Sequence, residues 1–273
     1  MRTKLTVTLA LLLILATLTA CGGTPAATTP TADAPTDGTQ PETTEEPTQI
    51  PEVSAEVVQS HLYVYRNNIN TPYALYVAEI LNTGAGAIFV SGVSIDLEDT
   101  DGALLASSQT ASAKRSVISP GESAYICESL LGMQSDFDLS TIGRATLYFD
   151  AAKINPVDLG IEITDISIGD SYSYPNILGR ATNTTDEAID SGVFLAIVVS
   201  NADGDIQSIA IGVLDALNPG DKKGFSQTAM YWNPDFDFTN STAQVIPYTY
   251  NFGFGSGAKV SYTETTEVSA PAG

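Results

Sequence analysis

The chain has 273 residues with 32 acidic and 11 basic side chains, giving a net charge of −21. Phosphate contacts need clustered Lys and Arg, so nucleic-acid binding is excluded as a main function. One histidine (His61) and two cysteines (Cys21 and Cys127) leave little for histidine-based catalysis or a thiolate metal site. Neither an enzymatic activity nor a cofactor is expected.

Residues 1–20 follow the pattern of a secretory signal. Met1-Arg2-Thr3-Lys4 is a short basic start, and Leu5 to Leu18 is apolar apart from threonines. The stretch is too short, and too soon followed by Gly, to span a membrane stably. It ends in Leu18-Thr19-Ala20-Cys21. That run resembles the lipobox of bacterial lipoproteins, in which signal peptidase II cuts before a cysteine that carries a diacylglycerol. The resemblance implies lipid attachment at Cys21 and residence on the extracellular face of the bacterial cell membrane. Loss of Arg2 and Lys4 with the signal would move the net charge to −23.

Residues 21–52 read as a disordered stalk. Positions 22–52 hold nine Thr and six Pro, with no aromatic and no basic residue. Such a segment buries too little apolar surface to offset its ordering entropy. A flexible coil of this length would reach roughly 30 Å, and an extended one up to about 100 Å.

From Val53 onward the apolar pattern has period two. Val93-Ser94-Ile95-Asp96-Leu97, Ala145-Thr146-Leu147-Tyr148-Phe149 and Ile209-Ala210-Ile211-Gly212-Val213 alternate as half-buried strands do. Asp101-Gly102, Pro120-Gly121, Asp203-Gly204 and Pro219-Gly220 punctuate the runs as turns. No window suits an amphipathic helix, so the fold class expected is all-β. The chain also repeats itself. Asn82-Thr83 returns as Asn183-Thr184, and Gly92-Val93 as Gly192-Val193. Pro120-Gly121-Glu122 returns as Pro219-Gly220-Asp221, and Asp136-Phe137-Asp138 as Asp235-Phe236-Asp237. Two copies of about 100 residues with short strands fit tandem immunoglobulin-like β-sandwiches, expected over 53–152 and 153–254. The short join, Asp150 to Pro156, predicts an end-to-end arrangement, and residues 255–273 read as a frayed tail.

Asn, Gly-Val, an apolar strand ending in Asp before Asp-Gly, and then Pro-Gly-Glu-Ser together resemble the FxLyD domain of bacterial lipoproteins. Ile95-Asp96-Leu97-Glu98-Asp99 stands at the naming motif, with Ile for Phe and Glu at the aromatic position. In the second copy Leu195-Ala196-Ile197-Val198-Val199 keeps the strand and loses the terminal Asp. The resemblance covers roughly 73–130 and 174–228. It implies a compact extracellular β-sandwich and carries no activity with it.

Several groups are candidates for chemistry. Asp96, Glu98, Asp99 and Asp101 crowd the turn before Gly102, and Asn201, Asp203 and Asp205 occupy the matching turn. They read as a solvated strand face ending in a hairpin, or as a weak cation site. Asp136/Asp138 and Asp235/Asp237 suggest paired carboxylates of a glycosidase, or loops whose Phe plugs a sandwich end. His61 has no nucleophile motif near it and reads as a surface or edge-strand residue. Cys127 aligns with Ser226 on the face opposite the core, as a partly exposed thiol or a small residue under a neighbouring strand. Tyr63, Tyr65, Tyr73, Tyr76, Tyr172, Tyr174, Tyr248 and Tyr250 offer stacking surfaces. Tyr231 and Trp232, in a loop that is plain in the first copy, are the candidates for partner binding or for end-plug packing.

The expected function is therefore a lipid-anchored binding, adhesion or scaffolding module. Its expected partners are the membrane, through the anchor, and an envelope protein or neutral glycan, since the acidic surface repels anionic polymers. A cation or small-ligand capture protein serving a transporter is the alternative.

Overall fold

The computed structural model describes residues 51–67, 69–131, 137–156, 158–169, 175–190, 192–228, 240–249 and 255–269. Cys21, the stalk up to residue 50, Asp136, Tyr172, Tyr174, Tyr231, Trp232, Asp235, Asp237 and Tyr250 lie outside the described residues. Strands dominate the rest, with one short 3-10 turn at Leu139–Thr141. The all-β expectation holds.

The first copy contributes β1 (Ala55–Arg66), β2 (Pro72–Asn82), β3 (Ile88–Asp99), β4 (Leu104–Ser108), β5 (Val117–Ile118), β6 (Ser123–Ser129) and β7 (Ile142–Lys153). The second contributes β8 (Ile161–Gly169), β9 (Asn176–Asn183), β10 (Val193–Ser200), β11 (Ile206–Leu214), β12 (Lys222–Thr228) and β13 (Thr242–Thr249). Pairing is antiparallel throughout the ladders. Sheet β1-β2-β6 faces a sheet ordered β7-β3-β4, and sheet β8-β9-β12 faces β13-β10-β11. The two copies thus share one topology, as the sequence repeat predicts.

The repeated motifs meet in space. Asn82 is 1% exposed, and its amide donates to the carbonyls of Gly86 (2.9 Å) and Ile118 (3.0 Å) while its oxygen accepts from the Gly84 N–H. Asn183, equally buried, bonds Glu187 and Leu217 the same way, and its oxygen accepts from Thr185. The Pro-Gly turns close on these residues: the N–H groups of Gly121 and Gly220 donate to the Asn82 and Asn183 carbonyls at 2.9 and 3.0 Å. Both glycines have positive φ (78° and 74°), a conformation that disfavours a side chain. Replacing Asn82 or Asn183 by Ala strands the buried Ile118 or Leu217 carbonyl and removes the other bonds of the amide, and a loss of about 2–3 kcal/mol is expected in denaturant unfolding. An exposed control, Asn155→Ala, should leave the midpoint within experimental error.

Each sandwich has its own core. Leu62, Tyr76 and Ile80 meet Ile95, Leu97 and Leu147 in the first, and Ile177 and Ala181 meet Leu195, Ile197 and Val199 in the second. A third core joins the copies. Leu75, Val77, Tyr125 and Cys127 of sheet β1-β2-β6 pack on Ala196, Val198, Ile209 and Ile246 of sheet β13-β10-β11. The copies are therefore stacked face to face, against the end-to-end expectation. The physical reason is that β2 and β10 are apolar on both faces, over Ala74–Ala78 and Val193–Val199, so each needs cover on two sides.

The tail expectation also changes. Residues 256–267 form β14 (Ser256–Glu267), which pairs antiparallel with β7 and extends the first copy's sheet to β14-β7-β3-β4. The chain completes its first sandwich only after building the second. Few of its residues are buried, because an edge strand needs one apolar anchor and partners rather than a full apolar face.

Candidate functional site

The junction between the copies gathers most of the chemistry-bearing side chains. Strand β1 presents Gln59, His61 and Tyr63 on alternate positions toward the β10–β11 turn. The Tyr63 hydroxyl donates to the Ile206 carbonyl (2.8 Å), and the Ile206 N–H donates to Gln59 (3.0 Å). Tyr125 donates to Gln244 across the same junction (3.2 Å). His61 stacks on Tyr63, and its Nε2 lies 3.9 Å from the Asp205 carboxylate. Burial pulls the His61 pKa below the ordinary 6.5, and the nearby Asp205 offsets this only in part. The unfolded chain therefore binds a proton near pH 6.5 that the folded chain refuses until lower pH. Stability is fully present above 6.5 and is lost as pH falls through the folded value. Thermal midpoints should drop between pH 7 and 5 in the native chain, and a His61→Gln variant should show a shallower drop.

Cys127 turns away from the first core as expected, but the second copy covers that face. The residue is 7% exposed, and burial pushes the thiol up to about 11. It is packing, not a reactive thiol. The candidate tyrosines of the first copy are likewise spent on packing: Tyr76 is fully buried, Tyr63 and Tyr65 lie in the shared core, and Tyr65 stacks on Tyr73 with ring centres 5.3 Å apart.

A cleft of about 500 Å³ opens beside this junction. One wall is the β5–β6 region of the first copy, with Arg115, Ser119 and Glu122. The other is the entry to β8 and the end of β13, with Asp158, Pro247, Tyr248 and Thr249. Arg115 holds a positive φ of 57° and ion-pairs with Glu122. Burial by itself would raise the Glu122 carboxyl, but the Ser119 N–H and the Arg115 guanidinium outweigh it and hold the group below its usual range. Among the described residues strand β13 ends its sheet here, whereas β7, its counterpart in the first copy, receives β14. Pro247 stands opposite Leu195 and has no N–H to offer, which suits an outer edge. The walls thus combine one neutralised ion pair, a carboxylate, hydroxyls and apolar surface.

The other sequence candidates take structural parts. Asp99 accepts hydrogen bonds from the N–H groups of Asp101 and Ala103, and Asn201 accepts from Asp203 and Asp205, so both turns are closed by their own first residue. Glu98 pairs with Arg144 at 2.6 Å. Among the described residues no three His, Cys, Asp or Glu side chains converge as metal ligands. Asp138 caps the 3-10 turn through Ser140, whose hydroxyl and N–H hold the carboxyl below its ordinary range. Phe137 packs against the first core beside it, as an end plug does.

Sequence reasoning missed the shared core and the cleft. The available signal was the unbroken apolar run in β2 and in β10, where a one-sided strand would alternate. In comparison with known proteins, the chain matches no protein-family model and no curated protein.

Proposed function

We propose that this is a lipid-anchored, non-enzymatic binding module of the bacterial cell surface, holding an envelope protein or neutral glycan in the cleft between its two copies. One observation carries the reading: two duplicated sandwiches pack by an apolar face and leave a cleft of about 500 Å³ along their seam, with no converging proton-transfer groups among its lining residues. The Leu18-Thr19-Ala20-Cys21 run and the FxLyD-like motifs support the cell-surface setting. Tyr231 and Trp232 are candidates for extending the contact.

The test is in-cell photo-cross-linking with benzoylphenylalanine at Thr249 in the cleft, at Trp232, and at exposed Val58 as control. A recurrent adduct from Thr249, absent from Val58, is expected. Adducts at Val58 equal to those at Thr249, or none at Thr249, would overturn the cleft as the binding surface. Palmitate labelling that survives Cys21→Ser would overturn the anchor.

A further inference from the structure

We propose that the open side of the second copy, between β11 and β12, is a docking groove for an extended acidic segment of a partner protein with small apolar residues at alternate positions. The first copy shows what belongs there. Its connection from β4 to β6 runs from Gln109 to Glu122 and includes a segment laid along the outer edge of β6. Lys114 and Tyr125 exchange backbone hydrogen bonds of 2.6 and 3.0 Å, and Ala111 and Ala113 are buried in the first core. This internal plug closes the gap between the two edge strands.

Among the described residues the second copy has no such segment. Its β11–β12 connection is only Asp215 to Asp221, and a crevice of about 110 Å³ remains, floored by Leu195, Leu214 and Phe225. The register is the same in both copies: Tyr125 stands opposite Glu79, and Gly224 opposite Arg180. Gly224 therefore turns its N–H and carbonyl outward as Tyr125 does, and among the described residues no strand pairs with β12 on that side. A Cβ at Gly224 would meet nothing closer than 3.9 Å, so a backbone can approach there.

Charge selects the occupant. In the first copy a basic plug, Lys114 and Arg115, lies on a strand flanked by Glu122 and Glu128. In the second the polarity is reversed: Lys223 occupies the position of Ala124 on β12 and lines the crevice, with Asp215 the one carboxylate among its lining residues, while Lys222 is turned to Asp165 at 3.8 Å. The Lys223 ammonium rests on the Ala216 carbonyl. An inward lysine keeps an open edge from pairing with arbitrary strands, and a carboxylate at the place of Arg115, on the same face as Ala111 and Ala113 and opposite Lys223 in the Lys114–Tyr125 register, answers it.

The probe is a fluorescein-labelled peptide of residues 109–116 carrying Ser112→Asp, Lys114→Asp and Arg115→Asp, titrated with the full chain by fluorescence polarisation. Saturable binding is expected, weakened at least about tenfold by Lys223→Glu and by Gly224→Pro. Proline is tolerated at an edge whose N–H faces outward, so Gly224→Pro removes the docking bond while keeping the strand. Lys223→Glu should also shift preference toward the unmodified, basic 109–116 peptide. No saturation by about 1 mM peptide, or unchanged affinity in both variants, would overturn the proposal. Binding that emerges only after deletion of residues 22–47 would assign the groove to the chain's own stalk and overturn a partner in trans. None of these outcomes depends on the cleft at the copy junction.

Discussion

Ending the chain at Phe254 is expected to unfold the first copy, 100 residues upstream of the cut. The deletion strips β14 from β7, exposing an edge that now pairs from Arg144 to Lys153. It also removes the Tyr262 ring from Phe149, where the ring centres are 4.9 Å apart, and the Tyr262 hydroxyl that accepts the Ala55 N–H at 3.1 Å. Thr266, 8% exposed, bonds Ser60 at 2.7 Å, and Ser269 exchanges hydrogen bonds with the Leu62 backbone at 3.1 and 2.9 Å. Strand β14 therefore ties the two sheets of the first sandwich together along one side. A domain holds only about 5–15 kcal/mol in total, and the loss of a whole strand with its anchor is of that size. Tyr262→Ala alone should cost about 3 kcal/mol. Circular dichroism melts and amide exchange at β7 are the measurements. A truncated chain that melts with the native midpoint and protects β7 would refute this role.

Ala196→Arg should separate the copies. Ala196 is fully buried in the core shared with Val77 and Cys127, where a guanidinium would enter a shell of apolar, tyrosine and thiol side chains. Burying an unpaired charge costs several kcal/mol, more than the junction can absorb without opening. Each sandwich keeps its own inner core, since Ala196 points away from Leu195 and Ile197. The expected result is near-native strand content with two melting transitions in place of one. A single transition at the native midpoint would show that the shared face contributes little. Ala196→Ser, of similar size and uncharged, is the control and should shift the midpoint far less.

The fold was legible where local rules decide. Alternation marked β3, β7 and β11, the Pro-Gly pairs marked turns, and the recurrence of Asn82 at Asn183 marked the duplication. The stacking of the copies was written in β2 and β10, but a continuous apolar run does not say which face meets which neighbour. Strand β14 escaped because its only anchors are Tyr262 and Thr266, and its remaining Thr, Ser and Glu residues match a solvated tail in composition. The candidate site was less legible still. Tyr248 is far in the chain from Arg115 and Glu122, and only the stacking brings the three to one cleft. His61 and Cys127 drew attention as rare chemical types, and both proved to be parts of the junction.

Cys127 offers the most direct test of the central claim, that the two copies share one buried face. In the full chain with Cys21→Ser, Cys127 is the only thiol. The structure buries it under Ile209 and its neighbours, with the thiol pushed up to about 11. Titration with Ellman's reagent at neutral pH should give no reaction in the native chain and one thiol per chain in denaturant. Prompt, stoichiometric reaction of the native chain, at the rate seen in denaturant, would contradict the face-to-face packing.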